Sequence, residues 1–540
     1  MPFGEVSWPI SDAAPLRVEA ILDAGLVARH QVELIRQIGK SGEASLAVVA
    51  VERTGPPIAK PAAFFRLYSW WDRRHAAVGS DPIELVDCPE ELRRLRSLSQ
   101  GDLDVVLDLR ESAQPHDPPV SAKFGVWTLH YADRHRYGGE PEGFWEVYEE
   151  SLVSGGELQA SMSGAGESAL TLARCRVATS PGWSRRRNQR AVISATNALV
   201  LQKLAELRRY GWAQLQRRAS PVGVRTGPER TRRLPTNWEL VRWLIPAAAR
   251  RVVARLARPR ANPEWYLAIR RSDSSVLDRS AGEALAGFTR IEARPGRWYA
   301  DPFMVEHQGD VWAFFEDADR LSGHGRLSVA PVLPSGRLGD VVPVLERSHH
   351  LSYPHVFFDR GQWFMIPETS ANGTVELWRC LRFPDRWTHE TVLLRAPAVD
   401  STLLVEAGRY WLFTTLRDPT SFASQLWLLM AEDLAGPWRA HPENPVSADV
   451  RNARGAGAFV RYGGRLYRPS QDGSGRYGRQ FALNEVVMLS SERYVEQPGV
   501  TVQAPPGCLG THSYAQCGQI EMIDVCELVD ARGRRRRWKG

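Results

Sequence analysis

RWYADPFMVEHQGDVWAFFEDAD, residues 297–319, sets an acidic residue, Asp301, directly before a proline and an apolar run. It turns at Gly309 and closes a second apolar run with Glu316 and Asp317. Aspartate is a poor strand former and proline donates nothing to a ladder, so Asp301-Pro302 is expected at the first position of a strand, with the carboxylate on the rim of a sheet. The plan recurs as SYPHVFFDRGQWFMIPETS at 352–370, AVDSTLLVEAGRYWLFTTL at 398–416, ARGAGAFVRYGGRLYRPSQD at 453–472 and, more weakly, GTHSYAQCGQIEMIDVCEL at 510–528. Each unit holds a polar residue, an apolar run, a glycine-containing turn and an aromatic-rich second strand. Counted from Asp301 through Pro354, Asp400 and Gly457 to His512, the steps are 53, 46, 57 and 55 residues. A period near 50 with about four strands per unit is the signature of a β-propeller, and five units give five blades.

In a propeller the first strand of each blade lines the central channel, and its leading residues reach one mouth. Asp301, Tyr353, Asp400, Arg454 and His512 therefore form a ring, joined by Glu316, Glu368, Gln471 and Asp472 from the ends of second strands. Carboxylates with an arginine, a histidine and aromatics suit a polyhydroxylated ligand: acids accept hydroxyl hydrogen bonds and ring faces cover sugar C–H surfaces.

The rest of the 540-residue chain is of two kinds. Residues 15–205 alternate apolar strands (LRVEAILDAG, ASLAVVAVERT, DLDVVLDLRES) with an amphipathic helix (VARHQVELIRQIGKSG), a pattern that predicts a parallel sheet covered by helices. Residues 206–284 are rich in arginine and read as a basic helical linker, in which NWELVRWLIPAAARRVVARLARPR sets apolar residues opposite basic ones around Pro246. The expected order is thus a Rossmann-like α/β domain (15–205), the linker (206–284), an all-β five-bladed propeller (285–530) and a basic tail (531–540). Six of the seven net positive charges lie in that tail, ARGRRRRWKG, so no nucleic-acid partner is expected. The six cysteines show no metal or disulfide spacing, and no metal is expected. With no apolar run long enough to span a bilayer and no leader-like start, a cytoplasmic location is expected, with peripheral contact to an anionic membrane through the linker helix as the alternative to domain packing.

The YADPF motif on a five-bladed pattern resembles the inverting family-43 glycoside hydrolases. That resemblance implies Asp301 as general base. It puts Tyr353 where the family has an aspartate that tunes the acid, and Asp400 at the position of the acid, one methylene shorter; Glu368 is the other candidate acid. Residues 290–530, through PHVFFDRGQWFMIPET, YWLFTT, NARGAGAFVRYGGRLYRPSQDGSGRYG and SERYVE, resemble the N-terminal propeller of glucosamine inositolphosphorylceramide transferases. This implies a saccharide or glycolipid ligand and no cofactor for the propeller. Residues 105–147 resemble the formyltransferase fold, which implies formyltetrahydrofolate as one-carbon donor and His130 as catalytic histidine, with Thr128 where that family has asparagine. Three readings stay open: a mouth that processes a saccharide, a silent glycan-binding propeller, and an N-terminal domain that formylates an amino sugar.

Overall fold

The computed structural model describes residues 13–51, 61–76, 83–93, 103–110, 122–133, 135–137, 141–162, 169–180, 182–222, 233–256, 261–280, 282–417, 424–530 and 535–536. They fall into two compact units, one essentially Pro9–Leu256 and the other Ala257–Arg417 with Ser424–Gly540.

In the second unit five antiparallel sheets make five blades. Blade one is Arg297–His307, Asp310–Asp319, Gly325–Pro331 and Val342–Leu345; blade two is Ser352–Asp359, Gln362–Thr369, Thr374–Arg382 and Arg386–Leu394. Blade three is Ala398–Glu406, Arg409–Arg417, Ser424–Ala431 and Arg439–Ala440, and blade four is Arg454–Gly455 and Val460–Tyr462, then Arg465–Asp472, Gln480–Leu489 and Tyr494–Gln503. The inner hairpins of the first four blades close through two-residue turns, Gln308-Gly309, Arg360-Gly361, Ala407-Gly408 and Gly463-Gly464, in which both residues have positive φ. That is the turn whose twist matches paired strands, which is why the repeat punctuates itself with glycine.

Blade five is assembled from both ends of the unit. Its inner strands, Tyr514–Cys517 and Ile520–Asp530, are completed by Ala261–Arg271, which pairs with Ile520–Asp530 along its whole length, and by Thr289–Arg290. The stretch 206–284, expected as a linker, therefore contains a propeller strand as well as the helix Asn237–Leu256. Neighbouring first strands pack side by side from blade one to blade four, and blade five meets blade one again. Tyr514 N donates to Ala456 O at 2.7 Å between blades four and five. Of the tail, Arg535–Arg536 pair with Leu528–Val529, and Arg535 reaches Glu292 at 2.8 Å; Arg532, Arg534, Arg537 and Lys539 lie outside the described residues.

Asp301-Pro302 does not start its strand, as the sequence suggested, but stands inside Arg297–His307. Pairing shifts register between Ala300 and Phe303, so the proline sits in a bulge where no ladder donor is required.

The first unit carries a seven-stranded sheet in the order Ala44–Val51, Leu16–Asp23, Val105–Asp108, Val126–His130, Val153–Ser161, Leu170–Ala178, Ser220–Pro221. The first four strands run parallel, and the last three antiparallel, so the sheet is mixed rather than wholly parallel as the alternating pattern predicted. The amphipathic helix forms at Arg29–Ser41 and stops at Gly42, whose φ of 71° ends it in the left-handed conformation. Helix Arg185–Tyr210 packs on Val153–Ser161 and Leu170–Ala178, and Gly156 allows the approach, since a Cβ there would stand 2.0 Å from Thr196 Oγ1.

Candidate functional site

Three blades share one backbone device. Asp301, Tyr353 and Asp400 have φ of 49°, 48° and 52°, and each sits in a register shift of its first strand: Ala300/Phe303, Ser352/His355 and Val399/Thr402. A left-handed residue other than glycine costs free energy and persists only where its surroundings hold it. The side chains of these kinked residues converge electrostatically. The charges of Asp400 and Glu316 both act on Asp301, and the charge of Asp400 acts on Glu368.

Asp301 is buried. Its Oδ1 accepts from Ser513 Oγ at 2.7 Å and lies 3.7 Å from His512 Nε2. Burial, reinforced by the charges of Glu316, Asp524 and Asp400 and opposed by His512, pushes its carboxyl up to about 7. Glu368 is half-buried at the end of Gln362–Thr369 and accepts from Ser370 Oγ at 2.8 Å. Desolvation and neighbouring Asp400 push it up to about 8. Asp400 differs: its Oδ2 accepts from Arg454 Nε at 2.6 Å and Gln471 Nε2 at 3.2 Å, and Gln471 also donates to Gly455 O. The buried Asp400 thus has a charged and a neutral donor on one oxygen.

His512 lies flat on Trp265, with ring centroids 4.1 Å apart. Its Nδ1 is 2.6 Å from Asp524 Oδ2 and its Nε2 is 2.9 Å from Tyr477 Oη. Burial disfavours the imidazolium, but Asp524 and Asp301 outweigh that and carry His512 up to about 9. Asp301, His512 and Asp524 bring ligand atoms within 4.8 Å of one another, a spacing a metal ion could use. The Asp524 oxygens, however, already accept from the backbone N–H groups of His512, Ser513 and Asp301, so the trio reads as a hydrogen-bonded support for Asp301.

Glu316 stands 3.2 Å from His350 Nε2, whose Nδ1 accepts from Gly325 N at 3.0 Å. Two expected ligand contacts have structural employment instead. Tyr353 is fully buried, its hydroxyl within 2.8 Å of Thr402 Oγ1 and accepting from Gly457 N at 2.8 Å, which ties blades two, three and four. Asp472 accepts from Ser474 N and Gln480 Nε2, bracing its own turn.

Sequence reasoning missed Tyr477, His350 and Asp524. Tyr477 is 58% exposed, with the Arg454 guanidinium 5.1 Å from its ring centre and its hydroxyl on His512; it offers an aromatic face at the rim of the carboxylate cluster. Tyr477 and His350 lie in loops outside the periodic strands. Only Asp524, a carboxylate amid the apolar run of Ile520–Asp530, left a signal in the sequence.

His130 belongs to the other unit, at the carboxyl end of the parallel strand Val126–His130. Cross-strand pairing puts Asp108, Thr128, His130, Glu157, Gln159 and Arg174 on one face of that sheet. Arg174 Nε and Gln159 Nε2 donate to Glu157 at 3.1 and 2.9 Å, and Thr128 Oγ1 lies 3.4 Å from His130 Nε2.

Residues 286–515 match the family described as glucosamine inositolphosphorylceramide transferase 1, N-terminal. Glucosamine inositolphosphorylceramide transferase 1 of Oryza sativa subsp. indica is 34% identical over 209 residues, 38% of this chain and 28% of the rice protein. The Arabidopsis thaliana protein of that name is 33% identical over 218 residues, 39% of this chain and 28% of its own length. The chain thus spans little more than a quarter of these relatives. Among solved structures, a family 117 glycoside hydrolase of Zobellia galactanivorans aligns with 50% of this chain and 92% of its own, at 11% identity and a TM-score of 0.33. A GH43_1 enzyme of Xanthomonas citri aligns with 45% and 91%, at 14% identity and a TM-score of 0.33. The blade count rests on the five sheets themselves.

Proposed function

We propose that the propeller mouth binds a saccharide, as the headgroup of a glycolipid or free, and acts on its glycosidic bond by acid and base catalysis. The observation that carries this reading is the contrast among three neighbouring carboxyls: Asp400 accepts from the Arg454 guanidinium, while desolvation and neighbouring charge raise the proton affinity of Asp301 and Glu368 into the neutral range. Pairs of carboxyls whose environments differ in this way divide acid from base. Glu368, the higher of the two, donates its proton to the leaving glycosidic oxygen. Asp301, held by Ser513 and His512, takes a proton from the attacking water or acceptor hydroxyl. Asp400 adds to the desolvation that raises the proton affinity of Glu368, and the exposed Tyr477 ring supports the sugar face. The glycolipid form of the ligand draws on the plant relatives, whose name carries inositolphosphorylceramide and glucosamine.

Turnover of a panel of aryl glycosides and glucosaminylated lipids by the full chain, with and without Asp301→Asn, tests the reading. A parent protein that binds a glycan but turns over no member of the panel makes the propeller a binding module.

A second reading rests on the polar sheet face around His130. There His130, at the end of a parallel strand, would handle the proton of an attacking amine while Thr128 donates to the formyl oxygen of formyltetrahydrofolate, and the neighbouring Glu157 would hold the amine. Incubation with formyltetrahydrofolate and amino sugars, with mass spectrometry for a formyl gain, decides it.

A further inference from the structure

In the first unit the helices Ala63–Ala76 and Asn237–Leu256 lie side by side and run the same way: Phe64 N donates to Asn237 Oδ1 at 3.0 Å near their starts, and Tyr68 meets Trp243 further along at 5.7 Å between ring centres. Their inner faces, Phe65, Tyr68, Leu240 and Trp243, pack with Phe144 and Trp145 in one aromatic cluster. That packing fixes which residues point away. On the first helix these are Phe64, Leu67 and Trp70, 47%, 60% and 49% exposed; on the second, Trp238 and Ile245, 70% and 65% exposed. They recur at helical spacing, three or seven residues apart, so each helix carries an apolar stripe on its outer face.

Cations are interleaved with these stripes, and carboxylates of the described residues do not neutralise them. Arg66, Arg73, Arg74 and Arg242 are exposed, and none forms an ion pair with a carboxylate of the described residues; Arg74 lies over the Trp70 ring at 4.3 Å. The two carboxylates on these stretches are already engaged. Asp72 is buried and accepts from Ser184 Oγ and Arg186 N, while Glu239 accepts from both terminal guanidinium nitrogens of Arg233.

Large apolar side chains, two of them tryptophan, flanked by exposed arginines, are what a helix face needs to lie in the headgroup layer of an anionic bilayer: the rings reach the acyl boundary and the guanidinium groups meet phosphates. We propose that this two-helix face docks on an anionic lipid surface. Lying on a membrane, not crossing it, is also the mode open to these helices, since no helix among the described residues is long and apolar enough to span one. The sequence placed the apolar residues of the second helix on a single face; the structure divides them, turning Leu240 and Trp243 inward, and supplies the missing half from the first helix. The side chains of Arg250, Arg251 and Arg255 lie outside the described residues. Nor does the proposal depend on what the propeller holds.

Co-sedimentation of the full chain with phosphatidylcholine vesicles and with phosphatidylcholine–phosphatidylserine vesicles, at low and high salt, is the test. Binding is expected to the anionic vesicles alone and to weaken as salt rises. Trp70→Ser with Trp238→Ser, and separately Arg66→Gln with Arg73→Gln and Arg242→Gln, should each weaken it roughly tenfold or more. All five side chains are exposed, so an unchanged melting midpoint should accompany both variants. A third variant, with Arg534 to Arg537 replaced by glutamine, should bind like the parent and so separates this face from the basic tail. Parent-like binding by the tryptophan and arginine variants, binding lost with the tail variant, or equal association with both vesicle types overturns the proposal. So does a parent that ignores vesicles and instead forms a dimer that the tryptophan variant abolishes.

Discussion

Asp400 receives Arg454 Nε at 2.6 Å, with both side chains largely buried, and the pair joins the first strands of blades three and four. Removing one partner of such a pair leaves an uncompensated charge in low dielectric, which costs about 3–5 kcal/mol. Arg454→Met should therefore lower the denaturation midpoint of the propeller strongly. Arg454→Met combined with Asp400→Asn should recover much of that loss, because the second change removes the stranded charge. Urea titrations of parent, single and double variants read both effects.

Asp301→Asn isolates chemistry from folding. Asparagine tolerates the left-handed backbone that Asp301 adopts, φ 49°, and its side-chain oxygen can still accept from Ser513. Turnover should fall by about a hundredfold or more, the usual size of a general-base contribution, while the melting midpoint does not fall below that of the parent. Full activity in Asp301→Asn rules out its role as base.

The pH dependence of stability has a defined sign. Asp301 and Glu368 bind protons more tightly folded than unfolded, rising from ordinary values of 3.8 and 4.5 to about 7 and about 8, and His512 rises from 6.5 to about 9. Each contributes stability that is complete below its unfolded value and is lost as pH climbs through its folded one. The propeller should thus lose stability between pH 5 and 9, in steps that Glu368→Gln and Asp301→Asn flatten. Activity should rise as Asp301 ionises and fall as Glu368 does. Calorimetric midpoints across that range check the first expectation, and a midpoint that climbs with pH contradicts it.

Gly457 has a φ of 135°, and a Cβ built there would stand 2.0 Å from Tyr514 O. Blade four approaches blade five through backbone at this point, and Gly457 N also donates to Tyr353. Gly457→Ala should cost roughly 3 kcal/mol or more, from overpacking and strain together. Gly361→Ala, at a hairpin turn with open space around it, should cost less because it meets only the φ penalty. Thermal unfolding of the two variants gives the comparison.

The propeller was legible because its information is local. Two-residue turns such as Arg360-Gly361, and aromatic second strands such as Gln362–Thr369, announce a period that survives poor sequence similarity between blades. Blade five was half hidden: Ala261–Arg271 pairs with residues about 250 positions later, and nothing local marks a strand whose partner is so distant. The ring of Asp301, Asp400, Arg454 and His512 followed from phase alone. What phase cannot supply is direction. Tyr353 shares the left-handed kink of Asp301 and Asp400, yet packs inward as a tie between blades, whereas Tyr477 enters the site from an irregular loop. In the first unit the alternation of strands and helices indicated a covered sheet but not that its far edge turns antiparallel after His130.

A crystal structure of the full chain with a bound glycan or glycolipid headgroup selected on an array decides whether the propeller mouth is the site. Sugar density is expected at the propeller mouth, with a ring against Tyr477, the scissile oxygen facing Glu368, and Asp301 on the opposite side of the anomeric carbon. A glycan seated only on the first unit, or on an outer edge of the blades with Asp301 and Glu368 untouched, would contradict it.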